Sequence, residues 1–236
     1  MEKKLKLNAL QKEILFGVIL GDAHLETQNN KITYRVKFEQ SSKHSAYIDH
    51  LYEIFKNFVK IEPKSKVVTY KNGYQNKTSL NIRFATISSN SFTFFGKQFY
   101  KENKKVIPKL IHRWLTPRAL AYWYMDDGSM KSAQSKGVLF NTQSFSHAEV
   151  QLLCNVLTDK FKLYCWPRKQ KNKTYQIYIS GKSYETLHDC IYSFIIPEMQ
   201  YKFPSPRKET KKQRKDTTKF VNQKGPSKGL TNNHFL

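Results

Sequence analysis

Two distant segments of the chain repeat one pattern of residues, and this repeat constrains the fold more than any other feature. The first copy reads FEQSSKHSAYIDHLYEIFKNF and the second reads FNTQSFSHAEVQLLCNVLTDKF. The residues that match at one constant offset are Gln40 with Gln143, Ser41 with Ser144, His44 with His147 and Phe58 with Phe161. Two copies of one unit predict two similar subdomains related by a pseudo-two-fold axis. A solenoid is excluded, because that kind of fold needs more copies of its repeat.

Each unit has the pattern of a helix, two strands, a helix, two strands and a helix, which predicts an α+β fold. The first unit is assigned to residues 1–115 and the second to residues 116–204. The first helix of unit one begins with Asn8, followed by Gln11 in the spacing of a capping box. The first helix of unit two begins with Thr116 before a proline, which is favoured at the first helical position.

Each copy of the repeat is preceded by an apolar helix that ends in an acid. These helices lie in ILFGVILGDAH, residues 14–24, and in LAYWYMDDGS, residues 120–129. The acids at their ends are Asp22 and Asp127. A carboxylate is unfavourable at this end of a helix, because the helix dipole already places partial negative charge there. The equivalent positions of the two acids in an internal repeat therefore indicate a shared function.

Two glycines indicate that the apolar helices pack on each other. Gly17 and Gly21 lie four residues apart on one face of the first helix. A glycine inside a helix costs roughly 1 kcal/mol, and the usual compensation is the close approach of another helix. The second helix offers Ala121 as its small residue. Packing of this kind would bring Asp22 and Asp127 together, along with the free backbone carbonyls of both helix ends.

Such a junction predicts a site for a divalent cation. Mg²⁺ takes oxygen ligands and commonly uses one or two carboxylates with water and phosphate oxygens. The alternative is that Asp22 and Asp127 are exposed loop acids and that Gly128 is an ordinary residue after a helix. The three cysteines, Cys154, Cys165 and Cys190, have neither zinc nor disulfide spacing and are predicted to be free thiols.

The charge of the chain predicts a polyanionic partner. The sequence has 41 Lys and Arg residues against 18 Asp and Glu residues, a net charge of +23. Nucleic acid is the first candidate for the partner. An anionic membrane surface is second, but the sequence has no basic amphipathic helix suited to it. No membrane association is expected, since no apolar run is long enough to cross a bilayer.

The two ends of the chain differ from its centre. Residues 205–236 are rich in Lys and Arg and poor in apolar residues, which predicts a flexible basic tail. This tail either adds non-specific attraction to phosphates or has no function. The first residues, MEKKLKLNAL, are too charged for a secretory signal and lack the character of a transit peptide.

The segments LFGVILGDA and LAYWYMDDG resemble the two signature helices of the LAGLIDADG homing endonucleases. The run VIPKLIHRWLTPRALAYWYMDDG, followed by LFNTQSF, is similar to the omega-type mitochondrial enzymes encoded in introns. The resemblance covers residues 8–204 and fits the monomeric branch with two motifs. It implies two pseudo-symmetric αββαββα units, two central packed helices and an antiparallel β-saddle over the DNA major groove. It also implies double-strand cleavage of a long, specific DNA target that leaves short 3′ overhangs.

The resemblance also implies the residues of the active site. The last acid of each motif, Asp22 and Asp127, binds the catalytic Mg²⁺, for which Mn²⁺ would substitute. The backbone carbonyls of Gly21 and Asp126 face the same metal. The other residues that match by local sequence are Lys105 and Lys202, which lie near the scissile phosphates, and Glu39 and Gln170, which hold a water network.

Target recognition is expected from strand side chains. Residues 34–40 and 79–85 alternate apolar and polar residues, which predicts half-exposed strands with one basic and amide-bearing face. In the major groove Arg and Lys pair with guanine, and Asn and Gln pair with adenine. The candidate DNA-binding residues are Arg35, Lys37, Asn81, Arg83, Arg168 and Gln176. The alternative is a solvated face without function, which the charge of +23 disfavours.

Two other functions are open to the same scaffold. A maturase would bind its host intron RNA and promote group I intron splicing, with cleavage secondary or lost. A non-catalytic nucleic-acid-binding protein is disfavoured by the electrostatic cost of acids it does not need. The presence of both Asp22 and Asp127 favours the endonuclease. Because the chain resembles organellar enzymes and is rich in residues of A·T-rich codons, an organellar origin in a mitochondrion or chloroplast is expected.

Overall fold

The computed structural model describes residues 5–72, 75–132 and 134–203, without the side chains of residues 70–76. The predicted basic tail, residues 205–236, lies outside the described residues. Among the described helices, none is long and apolar enough to cross a membrane.

The first half of the chain follows the predicted order of elements. These are α1 (Ala9–Leu20), β1 (His24–Glu26), β2 (Arg35–Ser41), α2 (Ser45–Phe55), β3 (Lys64–Asn72), β4 (Gln75–Ala85) and α3 (Thr93–Phe99). A small hairpin and a short helix lead to the second half: β5 (Tyr100–Lys101), β6 (Lys104–Lys105) and α4 (Ile111–Trp114).

The second half repeats the same order. Its elements are α5 (Pro117–Asp127), β7 (Gly128–Ser132), β8 (Ser135–Phe140), α6 (His147–Phe161), β9 (Cys165–Lys169), β10 (Tyr175–Ile179) and α7 (Tyr184–Ile191). Short 3₁₀ turns are Ser42–His44, Lys56–Phe58, Asn90–Phe92, Gly181–Ser183, Tyr192–Phe194 and Pro197–Lys202. The predicted α+β fold with its repeated αββαββα order is confirmed. The boundary between residues 115 and 116 stays a prediction.

Each half forms one antiparallel sheet of four strands, with the order β1-β2-β4-β3 in the first sheet and β7-β8-β10-β9 in the second. Phe38 lies opposite Phe84 in the first sheet, and Phe140 lies opposite Ile177 in the second. All four side chains are buried. Because side chains alternate across a strand, each sheet has one core-facing side and one open face. The predicted alternation of residues 34–40 is confirmed, since Tyr34, Val36 and Phe38 are buried. In residues 79–85 it holds for Arg83 and Phe84 but is wrong at Leu80, which is 46% exposed, and at Asn81, which is buried.

The predicted starts of both central helices are confirmed by their hydrogen bonds. The Asn8 side chain accepts from the Gln11 N–H at 2.7 Å, and the Gln11 side chain accepts from the Asn8 N–H at 3.0 Å. Thr116 Oγ1 accepts from the Ala119 N–H at 3.1 Å, with Pro117 as the first helical residue. These bonds satisfy N–H groups that have no partner inside a helix, so they determine where α1 and α5 begin.

Helices α1 and α5 pack against each other in the centre of the protein. A Cβ atom at Gly17 would lie 2.2 Å from the Ala119 carbonyl oxygen and 2.9 Å from Tyr122 Cβ. A Cβ atom at Gly21 would lie 2.4 Å from Asp126 Cβ. The small residues of α1 therefore face larger residues of α5. Ala121 was expected at the contact with the glycines, but Ala119 and Tyr122 are the residues nearest Gly17.

We predict that Gly17→Ala destabilises the protein, although alanine is the better helix former by roughly 1 kcal/mol. The added methyl group would meet the backbone of Ala119, and backbone cannot move aside as a flexible side chain can. Overpacking of this kind costs about 1–3 kcal/mol in the free energy of unfolding, measurable by urea denaturation. The matched control is Lys12→Ala on the exposed side of α1, which should change stability little. An unchanged or raised stability of Gly17→Ala would contradict the packing.

Candidate active site

The ends of α1 and α5 meet at the predicted acids. Asp22 follows Gly21, the C-cap residue of α1, and Asp127 is the last residue of α5. The Asp22 N–H donates to Asp126 Oδ2 at 3.2 Å, which joins the two helix ends directly. Asp22 is exposed, whereas Asp126 and Asp127 are half-buried. The structure therefore brings the final acids of both motifs to one junction.

The Asp126 carboxylate points across the junction towards the first motif. It accepts from the Asp22 N–H and also from Gln40 Nε2 at 3.3 Å, and it fills the space left by the missing side chain of Gly21. Burial, followed by repulsion from Asp22 and Asp127, raises the pKa of Asp126 well above its usual range. Asp126 is therefore a side-chain contact between the motifs, in addition to the backbone role predicted for it.

Asp127 is held from within its own helix. Trp123, one turn earlier, donates its indole N–H to Asp127 Oδ2 at 3.2 Å. Burial and the negative charge of Asp22 raise the pKa of Asp127 to about 7, against the opposing effects of Trp123, Lys105 and Lys202. Burial and the charge of Asp22 therefore both disfavour the ionised form of Asp127. Sequence reasoning missed Trp123, whose signal was an indole donor one turn before the acid.

The two predicted lysines occupy equivalent places at the two helix ends. Lys105 Nζ donates to the carbonyl oxygens of Gly21, at 2.9 Å, and Ala23, at 3.1 Å. Lys202 Nζ donates to the carbonyl oxygens of Met125 and Asp126, the latter at 2.9 Å. Each ammonium group therefore lies at the negative end of a helix dipole.

Both lysines are half-buried, and this affects their protonation. Burial lowers the pKa of Lys105 and of Lys202, while the neighbouring aspartates act in the opposite direction. In this arrangement the lysines cover the same carbonyls, of Gly21 and Asp126, that were predicted to face a metal. The lysine ammonium groups and the predicted metal would therefore lie close to each other at the helix ends.

A chain of side chains that sequence reasoning missed supports Asp22. Gln40 Nε2 donates to Asp22 Oδ2 at 2.6 Å. Its carbonyl oxygen lies 3.4 Å from His44 Nδ1, and His44 Nε2 lies 2.9 Å from the Tyr201 hydroxyl. Burial and the nearby Lys202 charge lower the pKa of His44. The only sequence signal was that Gln40 and His44 both recur in the repeat.

The two residues predicted for the water network lie in different surroundings. Glu39 lines a small cavity together with Asp22, Gln40 and Asp126, and its carboxylate accepts from Asn81 Nδ2 at 2.8 Å. Gln170 lies after β9 and donates to the carbonyl oxygen of Arg168 at 3.3 Å. Among the described contacts, none joins Gln170 to either motif acid. Its role in a water network stays a prediction.

The open face of the first sheet carries a basic groove of about 740 Å³. Three predicted DNA-binding residues line it, namely Arg35, Lys37 and Arg83, while Asn81 is buried beside Glu39. Glu26 on β1 pairs with Arg35, and also with Lys37 at 2.5 Å. Burial opposes the charge of Glu26, but the bonds from Lys37 and Arg35 outweigh it and lower the pKa of that carboxyl.

The open face of the second sheet carries the remaining predicted DNA-binding residues. Arg168 on β9 lies opposite Gln176 on β10. Gln176 Nε2 donates to Asn141 Oδ1 at 2.7 Å, and Arg168 is exposed. The two sheets therefore both present polar side chains on the side opposite the core.

The junction fits a hard divalent cation by its donor chemistry. Asp22 and Asp127 supply carboxylate oxygens, and a cation between them would relieve the repulsion that these two acids exert on each other. Among the described residues, no group of three or more His, Cys, Asp or Glu side chains is arranged as a metal site. Two carboxylates with water and phosphate oxygens are the set that Mg²⁺ commonly uses.

Comparisons with known proteins give one consistent family. The profile described as LAGLIDADG DNA endonuclease family matches residues 12–187. "Probable intron-encoded endonuclease 1" of Wickerhamomyces canadensis is 37% identical over 201 residues, which are 83% of this chain and 84% of that protein. The solved structure of the homing endonuclease I-WcaI bound to its DNA recognition sequence matches with a TM-score of 0.76 and 33% identity, covering 84% of this chain and 87% of that one.

Another relative is named as a maturase and not as an endonuclease. "Cytochrome b mRNA maturase bI2" of Saccharomyces cerevisiae is 31% identical over 206 residues. The match covers 84% of this chain and 48% of the maturase, so the chain spans about half the length of that protein.

We predict that Asp127→Asn stabilises the metal-free protein at pH 8. The folded-state pKa is about 7, above the value of about 3.9 in an unfolded chain. The carboxyl therefore destabilises the fold increasingly as the pH rises from about 4 to 7, and fully above that. We expect a gain of about 1–3 kcal/mol in the free energy of unfolding at pH 8 and little at pH 4, by urea denaturation in EDTA.

The control for this prediction is Asp49→Asn, which removes an exposed acid of α2. It should change stability little at either pH. A gain for Asp127→Asn of the same size at pH 4 and pH 8 would show that charge at the junction is not the cause.

Proposed function

This chain belongs to the LAGLIDADG DNA endonuclease family, and from that premise we propose that it is a site-specific, double-strand DNA endonuclease encoded in an intron. The observation that carries the proposal is the junction of α1 and α5, where Asp22 and Asp127 end the two motifs and Asp126 links them. A protein that only binds nucleic acid has no need for this repulsion. The similarity to the DNA-bound I-WcaI structure supports the same activity.

The two open faces bind duplex DNA in this proposal. The net charge of +23 attracts the phosphates, and the side chains of both sheets reach base edges in the major groove. The readers are Arg35, Lys37, Arg83, Arg168 and Gln176, whereas Asn81, which is buried and donates to Glu39, would hold Glu39 in place. Because one chain contains both motifs, a monomer supplies both acids. A long target is expected, since each half of the chain would bring one four-stranded sheet to the DNA.

Asp22 and Asp127 would hold the divalent cation, for which we propose Mg²⁺, with Mn²⁺ as a substitute. When bound, the cation supplies Lewis acidity at the scissile phosphate and lowers the pKa of water. Lys105 and Lys202 place ammonium groups at the same helix ends, where they would stabilise negative charge that develops on the phosphate. Glu39 and Gln170 would orient water. The products carry short 3′ overhangs.

We predict that Asp22→Asn and Asp127→Asn each abolish double-strand cleavage but leave target binding largely intact. Loss of a metal ligand removes several kcal/mol of transition-state stabilisation, on the order of a 10³-fold loss in rate. The measurement is single-turnover cleavage of the DNA that spans the intron-insertion site, in Mg²⁺, with binding followed in EDTA. Asp49→Asn serves as the control for removal of an acid. Cutting by either active-site variant at the wild-type rate would refute the assignment.

We predict that Glu26→Gln tightens DNA binding, because the substitution releases Arg35 and Lys37 from their ion pairs. Binding should become several-fold tighter, and the slope of log affinity against log salt should steepen by roughly 0.9 for each added phosphate contact. Fluorescence anisotropy of a labelled duplex at several salt concentrations measures both. The matched control is Glu53→Gln, which breaks the exposed ion pair between Glu53 of α2 and Lys56, the residue that follows α2. Equal effects of the two variants would mean that net charge alone is responsible.

A maturase that binds its host group I intron RNA is the second candidate function. The 31% identity to a protein named cytochrome b mRNA maturase favours it. Tight binding to the folded intron, together with no cleavage of the DNA that spans the insertion site, would favour the maturase over the endonuclease. Both functions are those of proteins encoded in introns, and we propose a mitochondrial or chloroplast location for this protein.

A further inference from the structure

Three aromatic side chains, two of them exposed and one half-buried, form a row on the open face of the second sheet. This aromatic row consists of Tyr164, Trp166 and Tyr178. Tyr164 is 63% exposed and Trp166 is 41% exposed. Trp166 on β9 lies directly opposite Tyr178 on β10, and Tyr178 lies opposite Leu139 on β8. Exposed aromatic groups clustered in this way are unusual unless they contact a partner.

The aromatic row lies on the face that carries the polar DNA-binding residues. Tyr178 is two residues from Gln176, and Trp166 is two residues from Arg168, so each pair shares one side of its strand. Ile177 on the opposite side is buried in the core. The row is therefore continuous with the surface that the proposed endonuclease presents to DNA.

The surrounding charge suits a nucleic acid. Arg168 follows Trp166 on the same side of β9 and is exposed. Lys131 on β7 holds its ammonium group 5.2 Å from the centre of the Tyr178 ring. Apolar groups flanked by cations match a major groove, where base edges lie between two rows of phosphates. A purely apolar protein partner would leave these cations without counter-charge.

The row is built as a fixed structure. Gly137 on β8 makes room for Tyr178, because a Cβ atom there would lie 2.7 Å from the Tyr178 hydroxyl oxygen. The rings of Trp166 and Tyr178 have centroids 4.8 Å apart and planes 66° apart, and Tyr164 and Trp166 are 5.3 Å and 63° apart. Edge-to-face contacts of this kind are favourable and restrict ring motion.

The ring geometry indicates which part of a nucleic acid the row contacts. Stacking of unpaired bases requires free ring faces. Here the rings turn their faces towards one another's edges, and the Lys131 ammonium lies over the Tyr178 ring. Tyr164 and Trp166 are the exposed members of the row, and the ring atoms that they offer to a partner are mainly apolar carbons. In the major groove of a duplex, the apolar group within reach is the C5-methyl of thymine.

We infer that the aromatic row reads thymine C5-methyl groups in the half of the target that lies under the second sheet. This inference rests on the proposed endonuclease function. The first sheet presents Arg35, Lys37, Glu39 and Arg83 on its open face, so the other half of the target is read by charge and hydrogen bonds. The two halves of the target are therefore recognised by different chemistry.

The test replaces thymine with deoxyuracil, which lacks only the methyl group. A target is first selected from a randomised duplex library. It is then made in three forms: one with all its thymines, one with deoxyuracil in place of thymine in the first half only, and one with deoxyuracil in the second half only. Binding of the whole protein is measured in EDTA. For the wild type, substitution in one half should weaken binding about fourfold for each methyl group that contacts the row. Substitution in the other half should have little effect.

Variants of Trp166 test whether the aromatic row is responsible for the discrimination between thymine and deoxyuracil. Trp166→Ala should bind unmodified and deoxyuracil targets equally, whereas Trp166→Phe, which keeps an aromatic ring, should retain part of the discrimination. The matched control is Arg168→Gln on the same face. It should weaken binding to all targets equally and leave the ratio unchanged. Thermal unfolding checks that each variant is folded.

Three results would overturn the inference. Equal wild-type binding of all three targets, with normal cleavage, would refute it and leave the proposed function intact. Undiminished discrimination in a folded Trp166→Ala variant would assign the methyl contact to other residues. If the Trp166→Ala variant lost binding to the host intron RNA but kept its binding to duplex DNA, the row would be assigned to RNA. Failure of the wild type to cleave or bind any duplex would refute the proposed function itself.

Discussion

The packing of α1 against α5 is the contact on which the rest of the structure depends. Gly17 and Gly21 remove side-chain volume from α1, and Tyr122 and Asp126 of α5 occupy the space. This close approach places two helix C-termini, each with partial negative charge, at the same point. The apolar surface that both helices bury must offset the repulsion that follows. Lys105 and Lys202 reduce it, and a bound cation would reduce it further.

Features that depend on local sequence were predictable. The caps at Asn8 and Thr116 follow from hydrogen bonds within four residues, and the two faces of β2 follow from alternation along a strand. The repeat then fixed the number and order of elements, because a second copy of a segment must fold by the same local rules. The meeting of Asp22 with the second motif followed from combining the repeat with the glycines.

Contacts between distant side chains were not predictable from one sequence. The Asp22–Asp126 bond and the His44–Tyr201 contact join residues 104 and 157 positions apart. The repeat marked Gln40 but did not give its role. Its match in the second copy, Gln143, is exposed and donates to Asn141 at 3.5 Å. An identical residue at the equivalent position of the repeat therefore makes a different hydrogen bond. The aromatic row was missed because its members come from separate segments and meet only through strand register.

The side chains break the symmetry that the backbone keeps. Gln40 lies two residues after the buried Phe38, and the residue two after the buried Phe140 is Thr142. Gln40 supports Asp22, whereas Thr142 donates its hydroxyl to the Tyr175 carbonyl at 3.0 Å. The open faces differ in the same way, one charged and one partly aromatic. Two identical subunits would require matching half-sites in their target. Two unlike halves in one chain remove that requirement, so each half of this protein is free to recognise its own sequence.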